Sequence, residues 1–325
     1  MNKQEKRSTD IIITEILKSL RSGEKSISDI AKDTGINWGT AANHVKTLEK
    51  SGIISRKNEG NKIIYSILQK NNNTLFGLPL DSEQENKIKF IFNKIIDKYK
   101  EKHGKKPTNT YLHKTFVYIN EVGRLNLPVV WYLYGQMCVM GYSENQTYDN
   151  YIPFEDMNKI EKIIDISIDK YDNKKTSEIR DKQYKEKNNN LYQAKEELYK
   201  SLKNTKELQF QQEFMKFFGI IIKEIDDDNE ISDILTEYLG IVTRIKEDIR
   251  KYELFDEIWR FIALKIAVKD LEKYYDKKLL NYFFNNRIIE QEEIINERFS
   301  NIYGENNLIP LESHPELTKF REQGR

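Results

Sequence analysis

The sequence predicts a mainly α-helical protein in which three helices and a β-hairpin come first and an all-helical region follows. Its 325 residues favour two domains. Only 14 Gly and 6 Pro are present, too few for an all-β fold that turns about every dozen residues. Apolar residues also recur at spacings of three and four along most of the chain, as they do in amphipathic helices.

Two helix signals open the chain. Residues 8–10 (Ser-Thr-Asp) begin the first predicted helix, and residues 22–23 (Ser-Gly) end it. Ser26 begins a second, shorter helix, which stops at Gly35 because glycine accepts the positive φ of a tight turn. The apolar residues of the first helix are Ile12, Ile13, Ile16, Leu17 and Leu20.

A third helix and a hairpin complete this part of the chain. Asn37 is expected to cap a helix from Trp38 to about Lys50. Residues 53–54 and 63–67 predict two strands joined by a tight polar turn. The residues of the third helix expected to face inward are Ala41, Val45 and Leu48.

Changes in composition predict the domain boundaries. Residues 1–70 form the three helices and the hairpin, and the Asn-rich residues 71–81 form a linker. Residues 82–303 form a helical domain for dimerisation or effector binding. Residues 304–325, with two prolines and many charges, form a flexible tail.

Apolar periodicity predicts helices within the helical region and leaves one segment undecided. Residues 127–135 combine β-branched and aromatic side chains, so that both helix and strand stay open. Residues 177–208 predict one long exposed helix or a helical hairpin bent at residues 188–190. The narrow apolar stripe of residues 177–208 suits an antiparallel neighbour or a partner chain. This stripe, or residues 231–300, is the candidate surface of a homodimer.

Composition excludes several classes of protein. A single cysteine, Cys138, excludes an intramolecular disulfide and a multi-cysteine metal site. The longest uncharged stretch, residues 125–143, contains Asn, Gln, Gly and Pro and predicts buried core rather than a membrane span. The first ten residues lack the apolar core of a secretory signal. We therefore expect a cytoplasmic protein with no membrane partner.

Charge is divided unevenly along the chain. Residues 1–70 hold 13 Lys and Arg against 8 Asp and Glu, whereas the remaining residues hold 40 against 44. A basic head on a mildly acidic body is typical of a nucleic-acid-binding module joined to a module that does not bind nucleic acid.

The second and third predicted helices have helix-turn-helix spacing. Ala31 lets the two helices approach closely, Gly35 permits the turn, and Ile36 fills the crossing point. The outer face of the third helix carries short polar side chains that suit base edges, while Lys46 and Lys50 suit phosphates. This outer face consists of Asn37, Trp38, Thr40, Asn43, His44, Lys46 and Thr47.

Residues 9–68 resemble the winged-helix DNA-binding domain of bacterial and archaeal transcriptional regulators, similar to the arsenical-resistance-repressor and multiple-antibiotic-resistance-repressor groups. The sequence departs from the pattern of these groups at two positions. Thr34 stands where Leu is usual, and Ala41 stands where Val or Ile is usual. The metal-sensing cysteines of the arsenical group are absent, so metal sensing does not carry over. The resemblance rests on Ile30-Ala31, Gly35-Ile36, His44-Val45, Leu48-Glu49 and Ser51-Gly52-Ile53-Ile54, followed by a basic wing.

The resemblance implies a sequence-specific transcriptional regulator that binds double-stranded DNA. Its third helix would enter the major groove, and its wing would approach the backbone or the minor groove. A regulator of this kind gains affinity as a homodimer that reads two half-sites. The wing residues implied in binding are Arg56, Lys57, Asn61 and Lys62.

Other interpretations stay open at this level. Winged helices also bind RNA or proteins, so the alternative function is an interaction protein that docks a partner in a transcription or defence complex. Trp38 either packs on a sugar-phosphate edge or covers the helix end as core. His44 faces outward in this register and either contacts DNA or acts as a ligand.

No catalytic motif is evident, and we expect no enzyme activity, no cofactor and no metal. His113 is expected to be a partly buried, hydrogen-bonded histidine, and Cys138 a buried structural thiol. The acidic residues 226–230 are expected to cap a helix rather than to hold a cation. An enzyme would need a pocket in which His113, tyrosines and a carboxylate converge.

Aromatic residues are concentrated in one stretch of the helical region. Residues 131–134 are Trp-Tyr-Leu-Tyr, and Tyr142, Tyr148 and Tyr151 follow. These side chains either line an effector pocket or form a tyrosine-rich core. A small-molecule or protein effector on the helical region is therefore a further expected partner.

Overall fold

The computed structural model contains twelve α-helices and two antiparallel two-stranded sheets within the ranges it describes. The predicted mainly α fold, with three helices and a hairpin first and a helical region after them, is confirmed. None of the described helices is long and apolar enough to cross a membrane. The described ranges are residues 9–50, 53–60, 62–67, 74–142, 148–203, 207–225, 229–244 and 250–306.

The chain divides into two compact units. The head unit comprises the residues up to Ser82 together with Glu272–Phe283. The helical unit comprises Glu83–Leu271 together with the residues from Phe284 onward.

The head unit has the predicted order of three helices and a hairpin. The two strands pair from Ile54 opposite Ile67 to Glu59 opposite Lys62. Lys25 extends this sheet, because its backbone N–H and C=O bond to the backbone of Tyr65 at 2.9 and 2.8 Å. The elements are α1 (Thr9–Arg21), α2 (Ile27–Thr34), α3 (Trp38–Lys50), β1 (Ile54–Glu59) and β2 (Lys62–Ile67).

Local hydrogen bonds determine where α2 begins and ends. The Ser26 hydroxyl accepts from the N–H of Asp29 at 3.2 Å, and the Asp29 carboxylate accepts from the N–H of Ser26 at 3.1 Å. The hydrogen bond from the Ser26 side chain also holds the pKa of Asp29 below its usual value. At the other end Gly35 has a φ of +63°, which other residues rarely adopt.

The core of the head unit receives side chains from all five elements. At its edge the Lys25 ammonium and the Ser19 hydroxyl both donate to the Asp33 carboxylate, and the Lys25 bond lowers the pKa of Asp33. These bonds join α1 and α2 to the segment between them. Within these five elements and at Ile53, the buried apolar residues are Ile16, Leu17, Leu20, Ile30, Ala41, Val45, Leu48, Ile53, Ile54 and Tyr65.

After the head, the chain continues as nine further described helices and a second hairpin. Leu75–Gly77 and Ile168–Tyr171 are short 3-10 turns. The helices are α4 (Ser82–His103), α5 (Asn109–Gly123), α6 (Met157–Ser167), α7 (Thr176–Glu186), α8 (Asn190–Lys203), α9 (Glu207–Glu224), α10 (Asn229–Arg244), α11 (Arg250–Leu271) and α12 (Lys277–Asn306). The strands are β3 (Val129–Tyr132) and β4 (Gly135–Cys138).

The segment that the sequence left undecided is a strand. The β3–β4 hairpin packs against α5 and α11, and it interrupts an otherwise helical unit. Asn120 holds the entry to the hairpin, because its side chain exchanges two hydrogen bonds of 3.0 Å with the backbone of Leu127. The Tyr192 hydroxyl donates to the Tyr132 carbonyl at 2.6 Å. These long-range contacts select the extended conformation.

Residues 177–208 contain a helical hairpin rather than one long helix. Helices α7 and α8 meet at a turn in which Asn188 has a φ of +49°. Of the predicted stripe of Leu191, Ala194, Leu198 and Leu202, the first three are fully buried in the core, where α8 packs on α9, and Leu202 is partly buried against it. This stripe is therefore covered by the chain's own helices, and its predicted use as a partner surface is wrong.

Several predictions fall partly outside the described residues. These include residues 71–73 of the linker, residues 226–228 of the acidic run and residues 307–325 of the tail. Helix α12 itself continues through Gly304 to Asn306.

The turn of the β3–β4 hairpin is built around Gly135. Its φ is +93°, and a Cβ at this position would lie 2.6 Å from Gln183 Oε1. The buried Lys114 ammonium donates to the carbonyls of Tyr134 and Gln136 at 2.8 and 2.7 Å. The pKa of Lys114 lies well below its usual value, because burial disfavours the charged form.

We predict that Gly135→Ala lowers the free energy of unfolding of the helical unit by about 2–4 kcal/mol, because the methyl group meets both steric overlap and an unfavourable φ. Urea unfolding followed by tryptophan fluorescence measures this change. A Trp38→Phe background leaves Trp131 and Trp259 to report on the helical unit.

Gly219→Ala is the matched control for this substitution. Gly219 lies in α9 with no atom within 4 Å of an added Cβ, so alanine should stabilise the helix by about 0.5–1 kcal/mol. Equal effects of the two substitutions would contradict the role assigned to Gly135.

Candidate nucleic-acid interface

The outer face of α3 is polar and open to solvent. Ala41, Val45 and Leu48 are at most 1% exposed on the inner face. The opposite face therefore points outward, because successive residues of a helix are separated by about 100°. Asn43 and Lys46 are exposed on this face.

Two of the predicted contact residues also hydrogen-bond to α3 itself. Asn37 Oδ1 accepts from the N–H of Gly39 at 2.8 Å, which caps the start of the helix. A contact of Asn37 with a base would therefore come from its amide nitrogen. The Thr47 hydroxyl donates to the Asn43 carbonyl at 2.9 Å, so this hydroxyl is left with its acceptor capacity.

The remaining positions on α3 differ in their exposure. Trp38 is 56% exposed, so its indole does not serve as core of the head unit. Thr40 and His44 are half-buried. Lys50 is the last residue of the helix, and its side chain lies outside the described part of the structure.

The wing presents its predicted cations on two faces. Cross-strand partners share a face, and Arg56 lies opposite Tyr65 whereas Lys57 lies opposite Ile64. Lys62 lies opposite Glu59, which places it on the same face as Lys57. All three cations are exposed, and Asn61 lies outside the described residues.

The ion pairs of the wing are long and solvent-exposed. Lys57 Nζ lies 3.7 Å from Glu59 Oε1 and 4.0 Å from Glu24 Oε2. Exposed pairs of this kind contribute little to stability. The Lys57 ammonium can therefore exchange these carboxylates for a phosphate at small cost.

Three helices, a two-stranded wing and an exposed polar face on the third helix define a winged helix-turn-helix domain. Residues 14–56 match the family model described as bacterial regulatory protein, arsR family. This match confirms the resemblance predicted for the head, and it makes the chain a DNA-binding transcriptional regulator in general terms. The remainder of the chain is not covered by that model, and no curated protein or solved structure matches the chain.

The residues considered for catalysis, His113 and Cys138, are both buried in the helical unit. His113 is fully buried with its ring edge-on to Phe92 at 5.6 Å, and neither ring nitrogen has a hydrogen-bond partner among the described residues. It is therefore not the hydrogen-bonded histidine that we predicted. Cys138 is buried as expected, and burial raises the pKa of its thiol. Among the described residues, no three His, Cys, Asp or Glu side chains are grouped to hold a metal ion.

The tyrosines of the helical unit have different environments. Tyr148 is buried against Phe92, and Tyr142 stacks on Tyr148. Tyr151 packs edge-on to Phe90. Tyr134 is exposed at the tip of the hairpin and lines a cleft together with residues that the sequence did not single out.

Burial of a neutral histidine makes stability depend on pH. Burial, aided by the nearby Lys114 charge, lowers the pKa of His113 from 6.5 to about 3. Between these values the unfolded chain binds a proton that the folded chain does not. The free energy of unfolding therefore falls as pH decreases, by up to about 1.4 kcal/mol per pH unit.

We predict that His113→Leu removes this part of the pH dependence. Between pH 7 and pH 5 the parent protein should lose about 2 kcal/mol more than the variant, because only the parent carries the buried imidazole. Urea unfolding at both pH values, in the Trp38→Phe background, measures the difference. Parallel losses in the two proteins would show that His113 is not responsible.

Proposed function

We propose that this chain is a sequence-specific regulator that binds double-stranded DNA with α3 in the major groove and the wing on the backbone or the minor groove. The observation that carries this proposal is the outer face of α3, which is exposed and polar while its inner face is fully buried.

The dimensions of α3 support insertion into a groove. The helix has 13 residues, and a major groove about 12 Å wide admits one α-helix. Asn43 supplies an amide that can form two hydrogen bonds with an adenine edge. Thr40 supplies a hydroxyl that can bond either a donor or an acceptor on a base edge. Lys46 lies about one turn beyond Asn43 and supplies a charge for a phosphate.

The wing supports binding through charge rather than through base reading. Arg56 lies on one face of the β1–β2 hairpin and Lys57 and Lys62 on the other, so the hairpin can approach phosphates on either side. The net charge of +5 on residues 1–70 adds a long-range attraction to DNA.

We further propose that the regulator binds as a homodimer, because one winged helix makes few base contacts and two half-sites multiply the affinity. Selection of bound duplexes from a random pool with the full-length protein tests the function and this assembly together. An enriched pair of half-sites about one helical turn apart supports both. An absence of duplex binding at low ionic strength overturns the proposal and leaves the protein-docking alternative.

We predict that Lys46→Ala, Arg56→Ala and Lys62→Ala each weaken binding to all duplexes alike. Each loss should reduce the slope of log affinity against log salt by about one, because one fewer counterion is released. Fluorescence anisotropy across a salt series measures the slope. Lys18→Ala, an exposed cation on α1 outside the proposed interface, is the matched control and should leave the slope unchanged.

Asn43→Ala should act differently, because a base contact carries sequence information. We predict that the discrimination between the selected site and single-base variants falls by about 1–3 kcal/mol at one position, while the salt slope stays the same. Affinities for a panel of single-base variants measure this loss. Uniform weakening across the panel would contradict base reading by Asn43 and would indicate an architectural DNA-binding protein.

A further inference from the structure

A cleft of about 490 Å³ opens in the helical unit beside the turn of the β3–β4 hairpin. Its walls come from that turn and from α5, α7, α8 and α11, so distant parts of the sequence meet there. Pockets of about 300–1,000 Å³ are of the size that holds small organic ligands. Nothing in the match of residues 14–56 concerns this cleft.

Two guanidinium groups line the cleft, and neither hydrogen-bonds to a carboxylate among the described residues. Arg180 is half-buried, its guanidinium lies 5.1 Å from the centre of the Tyr134 ring, and its buried Nε has no hydrogen-bond partner among the described residues. Arg260 is exposed, and its Nε lies 3.8 Å from Glu257, beyond normal hydrogen-bond length. Arginine binds carboxylate and phosphate groups through paired N–H donors.

The acidic side chains of the cleft already have partners. Glu196 pairs with Lys195 at 3.1 Å, and Asp256 accepts from the Tyr199 hydroxyl at 2.6 Å. That hydrogen bond acts together with burial, the larger effect, to raise the pKa of Tyr199, so the hydroxyl keeps its proton. Lys195 offsets Glu196, and the two guanidinium groups outnumber the remaining carboxylate of Asp256, so the net charge left available to a ligand is positive.

The aromatic rings that line the cleft already contact a cation of the protein itself, the Lys195 ammonium. The Lys195 ammonium, only 5% exposed as a residue, lies 5.2–5.8 Å from the rings of Tyr134, Tyr199 and Trp259. A cationic ligand would meet this ammonium in the position that aromatic rings offer to cations. The Trp259 indole N–H donates to the Leu133 carbonyl at 3.0 Å, so this wall is fixed before any ligand arrives.

We propose that this cleft binds a small organic anion that carries a planar aromatic ring. Its carboxylate or phosphate pairs with the Arg180 guanidinium, and its ring packs among Tyr134 and Tyr199. The proposal concerns the helical unit alone and does not depend on how the head unit binds DNA.

Isothermal titration calorimetry of the full chain tests this proposal with two probes. They are 2-naphthoate, an aromatic carboxylate, and adenosine monophosphate, an aromatic phosphate. The neutral counterparts 2-naphthamide and adenosine keep the rings without the charge. We expect one-to-one binding of at least one anion, and binding of its neutral counterpart at least about tenfold weaker.

Two substitutions on α7 separate a specific site from general attraction to charge. Arg180→Met keeps the apolar stem of the side chain and should weaken anion binding at least about tenfold. Lys185→Met is the matched control, because Lys185 is exposed on the same helix and does not line the cleft. Circular dichroism of each variant confirms that the fold is retained.

A further substitution, which should strengthen anion binding rather than weaken it, completes the test. Asp256→Asn removes a negative charge from the cleft and can still accept from Tyr199, so it should tighten anion binding by a few-fold. The proposal is overturned if neither anion binds the parent protein, if the neutral probes bind equally well, or if Arg180→Met and Lys185→Met have the same effect.

Discussion

The polar outer face of α3 depends on the burial of the opposite side of this helix. Val45 and Leu48 are each worth about 1.5–3 kcal/mol when fully removed from water, and α1 and α2 supply the apolar partners. Rotation of the helix would expose both side chains, so its orientation is fixed by the core. The polar residues of the outer face are thereby held outward. The wing follows directly from α3, and Tyr65 holds it to the same core through its buried ring and its backbone bonds to Lys25.

A different constraint organises the helical unit. The β3–β4 turn leaves two carbonyls inside the protein, and the buried Lys114 ammonium satisfies both. Gly135 lets the chain pass where any side chain would collide with Gln183. These contacts fix the position of Tyr134, and with it one wall of the cleft. The most apolar segment of the chain is thus held in place by a few polar contacts.

Much of the head unit follows from neighbouring residues in the sequence. The capping box of Ser26 and Asp29, the left-handed Gly35 and the cap at Asn37 are local interactions, and they define the ends of α2 and the start of α3. The expected wing also forms, because a polar turn brings the two short strands beside it together and lets them pair. The solvent exposure of individual residues on the outer face of α3 did not follow from their neighbours in the sequence. Trp38 could have been core or surface, and only the packing of the whole domain places it in solvent.

The sequence by itself determined the fold class, the helix-turn-helix and the polar outer face of α3, because periodicity and capping act over a few residues and one turn of helix. Only the tertiary structure decided that residues 129–138 form a hairpin, that the stripe on α8 is internal, and that Arg180, Lys195 and Asp256 meet in one cleft. Those outcomes depend on contacts between separate helices and strands, such as that of Tyr192 with Tyr132, 60 positions away, and spacing along the chain carries no record of such contacts. Strand and helix compete closely in a short apolar segment, so the partners that surround it make the choice.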